Sequence, residues 1–296
     1  DLTDQCLDNL RTVFRTRGRT YIYAANGHGA WEGGLANVLS RGDEILVLES
    51  GRFAINWGGM ARTMGITVHG LDGTFRSAVD PQRVEERLRE DTAGNIKAVL
   101  IVQVDTASGV VNDIPAIRAA MDASGHDALL MVDTIASLAT MPFEMDEWRV
   151  DVAISGSQKG LMCPPGLSFC AAGERAIEAR KSADLASQYW DWNEREGAQH
   201  YQKYCGTPPE HMLFGLGKAL EMILAEGLDN VFTRHRLLAR AVQTAVGTWS
   251  QGGGFEFNVL EPAERAGSVT TIAMRGDFSS APIADFCRDT CGVTLG

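Results

Sequence analysis

The chain lacks what a polyanion-binding or disulfide-bonded protein needs. Positive charge is in deficit, with 27 Lys and Arg against 38 Asp and Glu, a formal net charge of −11 over 296 residues. Nucleic acid and anionic membrane both demand clustered positive charge, so neither is an expected partner. Cysteine is sparse and dispersed: Cys6, Cys163, Cys170, Cys205, Cys287 and Cys291 show neither the CxxC pairs of zinc sites nor the density of a disulfide scaffold. Reduced thiols and no metal are expected, with Cys287 and Cys291 packing on one helix face at i, i+4. No apolar run approaches the roughly 20 residues that span a bilayer, and no charged-then-apolar leader opens the chain. A cytoplasmic location and small-molecule ligands are the expectation. No GxGxxG follows any strand, which counts against a nicotinamide-binding Rossmann protein.

What is present is 45% hydrophobic residue content, enough for one large core and a smaller unit. Short apolar runs predict strands at 20–24, 44–48, 67–71, 98–104, 128–132, 150–155 and 167–171. Helical periodicity lies between them at 30–39, 52–64, 81–90 and 114–123, with Pro81 suited to a first turn. The alternation predicts an α/β domain with a mostly parallel central sheet flanked by helices. Two long helices follow, near 210–226 and 228–249. Gly252-Gly-Gly254 is the best linker signal, and beyond it strand, loop, strand and helix patterns open a second, smaller α/β unit. The expected division is a large domain over 1–250 and the beginning of a small one over 251–296. The chain opens without Met on a helical pattern and stops at Gly292-Val-Thr-Leu-Gly296 partway through an element, so a truncated small domain is expected.

Chemistry concentrates after the strands. Lys159 follows the apolar strand 150–155 through Gly156-Ser-Gln158 and precedes Pro164-Pro-Gly166. An amine delivered to such a turn could lose water, as imine chemistry with a carbonyl cofactor requires. Asp133 closes the strand ending Leu130-Met-Val-Asp133, 159 − 133 = 26 positions earlier. Open parallel sheets bind ligands outside the carboxyl ends of their strands, where both residues could converge. Pyridoxal phosphate (PLP) needs this pair: a lysine for its aldehyde carbon and a carboxylate that keeps the pyridine nitrogen protonated.

Ala24-Ala-Asn-Gly-His-Gly29 lies between a strand and a helix, where small residues let N–H groups approach an anion. Thr106 again follows a central strand, and Phe53 opens a helix where it could stack on a planar ring. Read alone, each has a plain structural alternative. A lysine after a strand can be a surface residue, an acid at a strand end can cap a loop, and His28 can cap a helix. Threonine favours turns, and most phenylalanines pack in cores.

Taken together these segments resemble the class V branch of fold-type I PLP enzymes, specifically the serine/alanine-glyoxylate aminotransferases. The resemblance covers essentially the whole chain. Its most specific part is Ser155-Gly-Ser-Gln-Lys-Gly-Leu-Met-Cys-Pro-Pro-Gly166, supported by Asn26-Gly-His-Gly-Ala-Trp-Glu32, Asp105-Thr-Ala-Ser-Gly109, Val132-Asp-Thr-Ile-Ala-Ser137 and Tyr204-Cys-Gly-Thr-Pro-Pro209. It implies that Lys159 carries the Schiff base and shuttles protons, and that Asp133 partners the pyridinium. It also implies that Thr106 bonds the ring hydroxyl, that Phe53 lies against the cofactor face, and that Gly27, His28 and Gln158 hold the phosphate.

Tyr204 and Thr207 match residues that reach the phosphate of the neighbouring subunit, so a homodimer with shared sites is implied. The implied reaction is ping-pong transfer of an amino group from serine, alanine or aspartate to glyoxylate or a similar 2-oxo acid. Family members begin upstream of Asp1 and continue past Gly296 to an arginine that grips the substrate carboxylate. The alternatives are a class V desulfurase or lyase and a non-catalytic PLP-binding protein. Desulfurases typically place His directly before the lysine, where this chain has Gln158.

Overall fold

A computed structural model describes residues 1–295 of the chain. Helix α1 (Leu2–Phe14) is capped by the Asp1 side chain, which accepts from the Asp4 amide. There follow β1 (Arg19–Tyr23), α2 (Gly27–Val38), β2 (Glu44–Glu49), α3 (Arg52–Thr63), β3 (Thr67–Asp72), α4 (Pro81–Glu90) and β4 (Ile96–Val102). A short hairpin of two-residue strands, β5 (Val104–Asp105) and β6 (Val110–Val111), leads into α5 (Ile114–Ser124). Next come β7 (Leu129–Asp133), β8 (Val152–Gly156), β9 (Ser168–Ala172) and α6 (Glu174–Arg180). The chain continues through α7 (Glu210–Glu226), α8 (Leu228–Trp249), β10 (Phe255–Phe257), β11 (Ile272–Met274) and α9 (Ala281–Cys291). The predicted elements are all present within a few residues. The run 98–104 divides because the chain leaves the main sheet after Val102 to form the β5–β6 hairpin.

The main sheet has the order β1-β9-β8-β7-β4-β2-β3. β3, β2, β4, β7 and β8 are parallel to their neighbours, and only β9 runs against the rest. Both faces are covered, which is why the strands read as continuous apolar runs. The side-chain period of two sorts them. Leu46, Leu48, Leu130 and Val132 join the core under α1, α4, α5 and α7, while Ile45, Val47, Leu129 and Met131 face α2 and α3. Asp80 and Asp113 cap α4 and α5, each ahead of a first-turn proline.

β10 and β11 form a separate antiparallel pair. It is tied to the large unit at the turn after β5, where Thr271 Oγ1 donates to the Ser108 carbonyl (2.6 Å) and Asn258 Nδ2 to the same carbonyl (2.8 Å). Gly109 turns there at φ +77, a conformation that favours glycine, and the Thr271 side chain occupies the space a Cβ would need. Of the neighbouring aromatics, Tyr189 is exposed, Trp190 half-buried and Trp192 buried. Trp192 is 1% exposed, stacks on Tyr21 at 5.1 Å and donates to the Tyr23 hydroxyl (2.8 Å).

Among the described residues no helix is long and apolar enough to cross a membrane. The sheet centre carries the stability: Leu100, fully buried in β4, should cost about 2–5 kcal/mol as Leu100→Ala in urea unfolding. Leu237→Ala on the exposed side of α8 should stay within about 0.5 kcal/mol of wild type.

Candidate active site

Because the strands run parallel, the loops after β1, β2, β7 and β8 leave from one edge of the sheet, as does the turn that continues from β4 through β5. These segments carry Gly27 and His28, Phe53, Asp133, Gln158 and Lys159, and Thr106 respectively. Asp133 is 2% exposed at the end of the central strand β7. Its Oδ1 accepts from the Ile135 amide (2.6 Å) and its Oδ2 from the Trp31 indole Nε1 (2.7 Å). Burial pushes the carboxyl up to about 7, and the neighbouring Asp105 charge pushes the same way, against the pull of the two N–H donors.

Asp105 is also fully buried. Its Oδ2 accepts from the Phe53 and Ala54 amides (2.8 and 3.2 Å), closing the first turn of α3, and its Oδ1 accepts from Ala107 (3.0 Å). Gly51 precedes that turn because a Cβ there would overlap the Asp105 carboxylate. Burial raises the Asp105 carboxyl too, while these backbone donors lower it. Asp105 therefore positions both Phe53 and Thr106 by tying β5 to the start of α3.

Phe53, half-buried, meets the Trp31 ring edge-on at 6.4 Å, and the His28 ring lies 4.5 Å from the indole at a tilt of 58°. Gly27 opens α2 against Ile135, whose side chain fills the place of a Cβ. Asn26 caps the helix, accepting from Gly29 (3.3 Å). The first-turn amides of such a helix have no intrahelical acceptors and suit an anion.

Lys159 and Thr106 line one cleft of about 700 Å³, which α8 walls with Arg234, His235, Leu238 and Val242. Arg234 is held by Glu226 at 2.8 Å. The desolvation expected of Lys159 is not found, and its side chain is exposed in the cleft. The reason is the loop's own bonding. Ser157 Oγ donates to Pro164 O (2.7 Å) and Cys163 N to Ser157 O (2.9 Å), so the segment between them projects from the sheet. Gln158 leaves its buried Oε1 without a partner, and an amide rotated half a turn offers an N–H donor instead.

Tyr204 and Thr207 lie apart from this group. Tyr204 is 2% exposed and its hydroxyl donates to Thr3 Oγ1 (2.9 Å), with burial pushing it up to about 12. Thr207 is exposed at the turn before α7. A larger cavity, about 930 Å³, opens at the opposite edge of the sheet. Its arginines are engaged in ion pairs, Arg118 and Arg149 with Asp122 and Arg175 with Asp127 and Asp151. We therefore centre the site on the carboxyl edge. Sequence reasoning missed two functional neighbours, Trp31 and Asp105. Both sit inside segments already singled out, but only their contacts reveal their roles.

The sequence profile of the family described as Aminotransferase class-V matches residues 24–295. The chain belongs to the class-V aminotransferases. It is 38% identical to the serine–glyoxylate aminotransferase of Methylorubrum extorquens, covering 100% of this chain and 74% of that protein. It is 35% identical to the L-aspartate–glyoxylate aminotransferase of Paracoccus denitrificans, covering 98% of this chain and 72% of the relative. Among solved structures, the alanine–glyoxylate aminotransferase of Nostoc sp. superposes with a TM-score of 0.86 at 27% identity, over 100% of this chain and 77% of that one. The fold-type I architecture expected from the sequence is thus the observed one.

The site's residues fit PLP on their own chemistry: a buried acceptor carboxylate for a ring N–H, an amine exposed in a cleft at the same sheet edge, an aromatic ring, an unmet amide and a helix N-terminus for a phosphate. Asp133 binds its proton more tightly in the folded chain (about 7) than at its ordinary value of 3.8. The stability this lends is full below pH 3.8 and lost as pH rises through 7. Cofactor-free Asp133→Asn is spared that loss. From about pH 5 to pH 8 it should gain roughly 2–3 kcal/mol on wild type in urea unfolding, and a difference constant across pH would contradict a desolvated carboxyl.

Proposed function

We propose that this chain is a PLP-dependent transaminase that moves the amino group of a small amino acid, such as serine, alanine or aspartate, to glyoxylate or a similar 2-oxo acid. The observation that carries the reading is Asp133, a buried carboxylate already fixed by two N–H donors at the sheet edge that also carries Lys159. The activities for which the relatives are named support the same reaction class.

PLP, when bound, supplies an aldehyde that bonds amines and a protonated ring that withdraws electrons from the carbon atoms attached to it. Asp133 would accept the ring N–H and keep that nitrogen protonated. Lys159 Nζ, exposed in the cleft, would hold the cofactor by its aldehyde carbon and would carry a proton to and from the substrate α-carbon. Thr106 Oγ1 would hold the ring hydroxyl, and Phe53 would cover one face of the ring. The amides of Gly27 and His28, with the Gln158 side chain, would bind the phosphate.

Thr207, exposed ahead of α7, would reach the phosphate of a second copy across a homodimer. In this reading Tyr204, now buried against Thr3, would have to leave that bond to reach the same phosphate. Residues 1–250 would form the cofactor-binding unit and 251–296 would belong to a smaller one. Six free cysteines, three of them buried, support a reducing, cytoplasmic setting.

Lys159→Ala should remove the visible absorbance that appears when wild-type protein takes up PLP, and should lower turnover by about 10²–10⁴-fold. An unchanged spectrum would overturn the assignment of the lysine. In half-reactions, serine, alanine or aspartate should bleach that band and yield the matching 2-oxo acid. Sulfide release from cysteine without any 2-oxo acid would instead identify a desulfurase.

A further inference from the structure

Among the buried polar groups that the mechanism above leaves unused is the indole N–H of Trp31. The ring is 0% exposed, yet its single polar atom is spent on the carboxylate at the centre of the site. We infer that Trp31 is a positioning residue acting through Asp133, holding its carboxylate in the orientation and charged form that a protonated pyridine nitrogen needs. The inference rests on the PLP reading and adds to it a residue outside the cofactor contacts.

Three observations carry it. First, an indole N–H can donate and never accept, so it favours the ionised acceptor over a protonated acid at Oδ2. With Ile135 N–H on Oδ1, each carboxylate oxygen has one donor, and each keeps a lone pair for another. Second, the indole cannot turn away. It stacks on Trp57 with centroids 5.8 Å apart and planes 16° apart, and is edged by Phe53 and His28.

Third, the backbone is shaped to bring it there. Gly27, Trp31 and Gly34 share one face of α2 by their spacing. Gly27 is closed against Ile135, and a Cβ on Gly34 would stand only 3.0 Å from the Ile154 side chain. The missing side chains let the helix lie close enough on β7 and β8 for the indole to reach the strand end.

The opposing pressures are named by the neighbours. Burial and the Asp105 carboxylate from β5 disfavour charge on Asp133. His28 from α2 lies 4.5 Å from the indole, Lys159 lies on the loop after β8, and Arg52 at the head of α3 is exposed. Asp133 therefore stands near the point where its charge is decided by one hydrogen bond. Removing that bond alone should leave it a neutral acid at neutral pH.

The test uses Trp31→Phe and, because the smaller ring could loosen the core, a second protein in which Trp31 is replaced by β-(3-benzothienyl)alanine, which keeps the bicyclic shape and has no N–H. PLP affinity is measured by equilibrium dialysis from about pH 5.5 to 9, and the carboxylic C=O band of Asp133 is followed by infrared titration of cofactor-free protein, with Asp133→Asn as the reference that lacks it. The expected result is a midpoint about one pH unit higher in both replacements, with affinity returning close to wild type at the alkaline end. An unmoved midpoint in the folded benzothienyl protein, or an affinity loss equal at every pH, overturns the inference. Wild-type protein that takes up no PLP would overturn the functional reading instead, while the infrared midpoint still decides the role of Trp31.

Discussion

Parallel hydrogen bonding across β3, β2, β4, β7 and β8 is the constraint from which the rest follows. A parallel ladder forces each strand to exit at the same edge, and each crossover to return over a face of the sheet. The faces are thereby covered and the strands become apolar on both sides. The carboxyl edge becomes the place where several separate loops can put polar groups within reach of one ligand. β9, the one reversed strand, lets β1 join at the edge while still pointing the loop that begins α2 at the same place.

That edge holds two buried carboxylates, and their placement opposes stability. Desolvation is the largest influence on both Asp105 and Asp133, and each is offset by N–H donors rather than by a cation. Amide and indole donors are fixed in direction, so they orient a carboxylate without neutralising it. An arginine partner would have lowered the acidity problem and cost the site its negative charge. The ion pairs around Arg118, Arg149 and Arg175 lie at the opposite edge. The buried carboxylates at the carboxyl edge thus have N–H donors for partners, where the carboxylates at the opposite edge have arginines.

Much of this was legible in the residues because local rules and global packing agree. The strand candidates were apolar runs of the right length, and Pro81 and the residues 210–226 and 228–249 marked helices whose observed bounds coincide with the expected ones. The disagreements are local. The strand read as 98–104 ends early, since the hairpin that follows is set by Asp105 capping a helix whose Phe53 lies 52 residues earlier in the chain. Lys159 was expected to be desolvated because its strand is apolar, yet burial of a strand does not extend to a loop that bonds to itself. Tyr204 matches a residue expected to reach a neighbouring subunit's phosphate, yet it is buried in its own chain against Thr3, 201 positions earlier.

By itself, then, the sequence determined the α/β alternation, the segments that carry chemistry and the class of cofactor they suit, because side-chain period and residue type act over a few positions. Tertiary structure alone decided which groups within those segments touch. Trp31 and Asp133 are 102 positions apart and Asp105 and Phe53 are 52 apart. No local pattern encodes such pairs, since they arise only when helices settle onto a sheet at a distance set by glycines such as Gly34. The charge on Asp133 is decided by those contacts, through the balance of burial against two N–H donors.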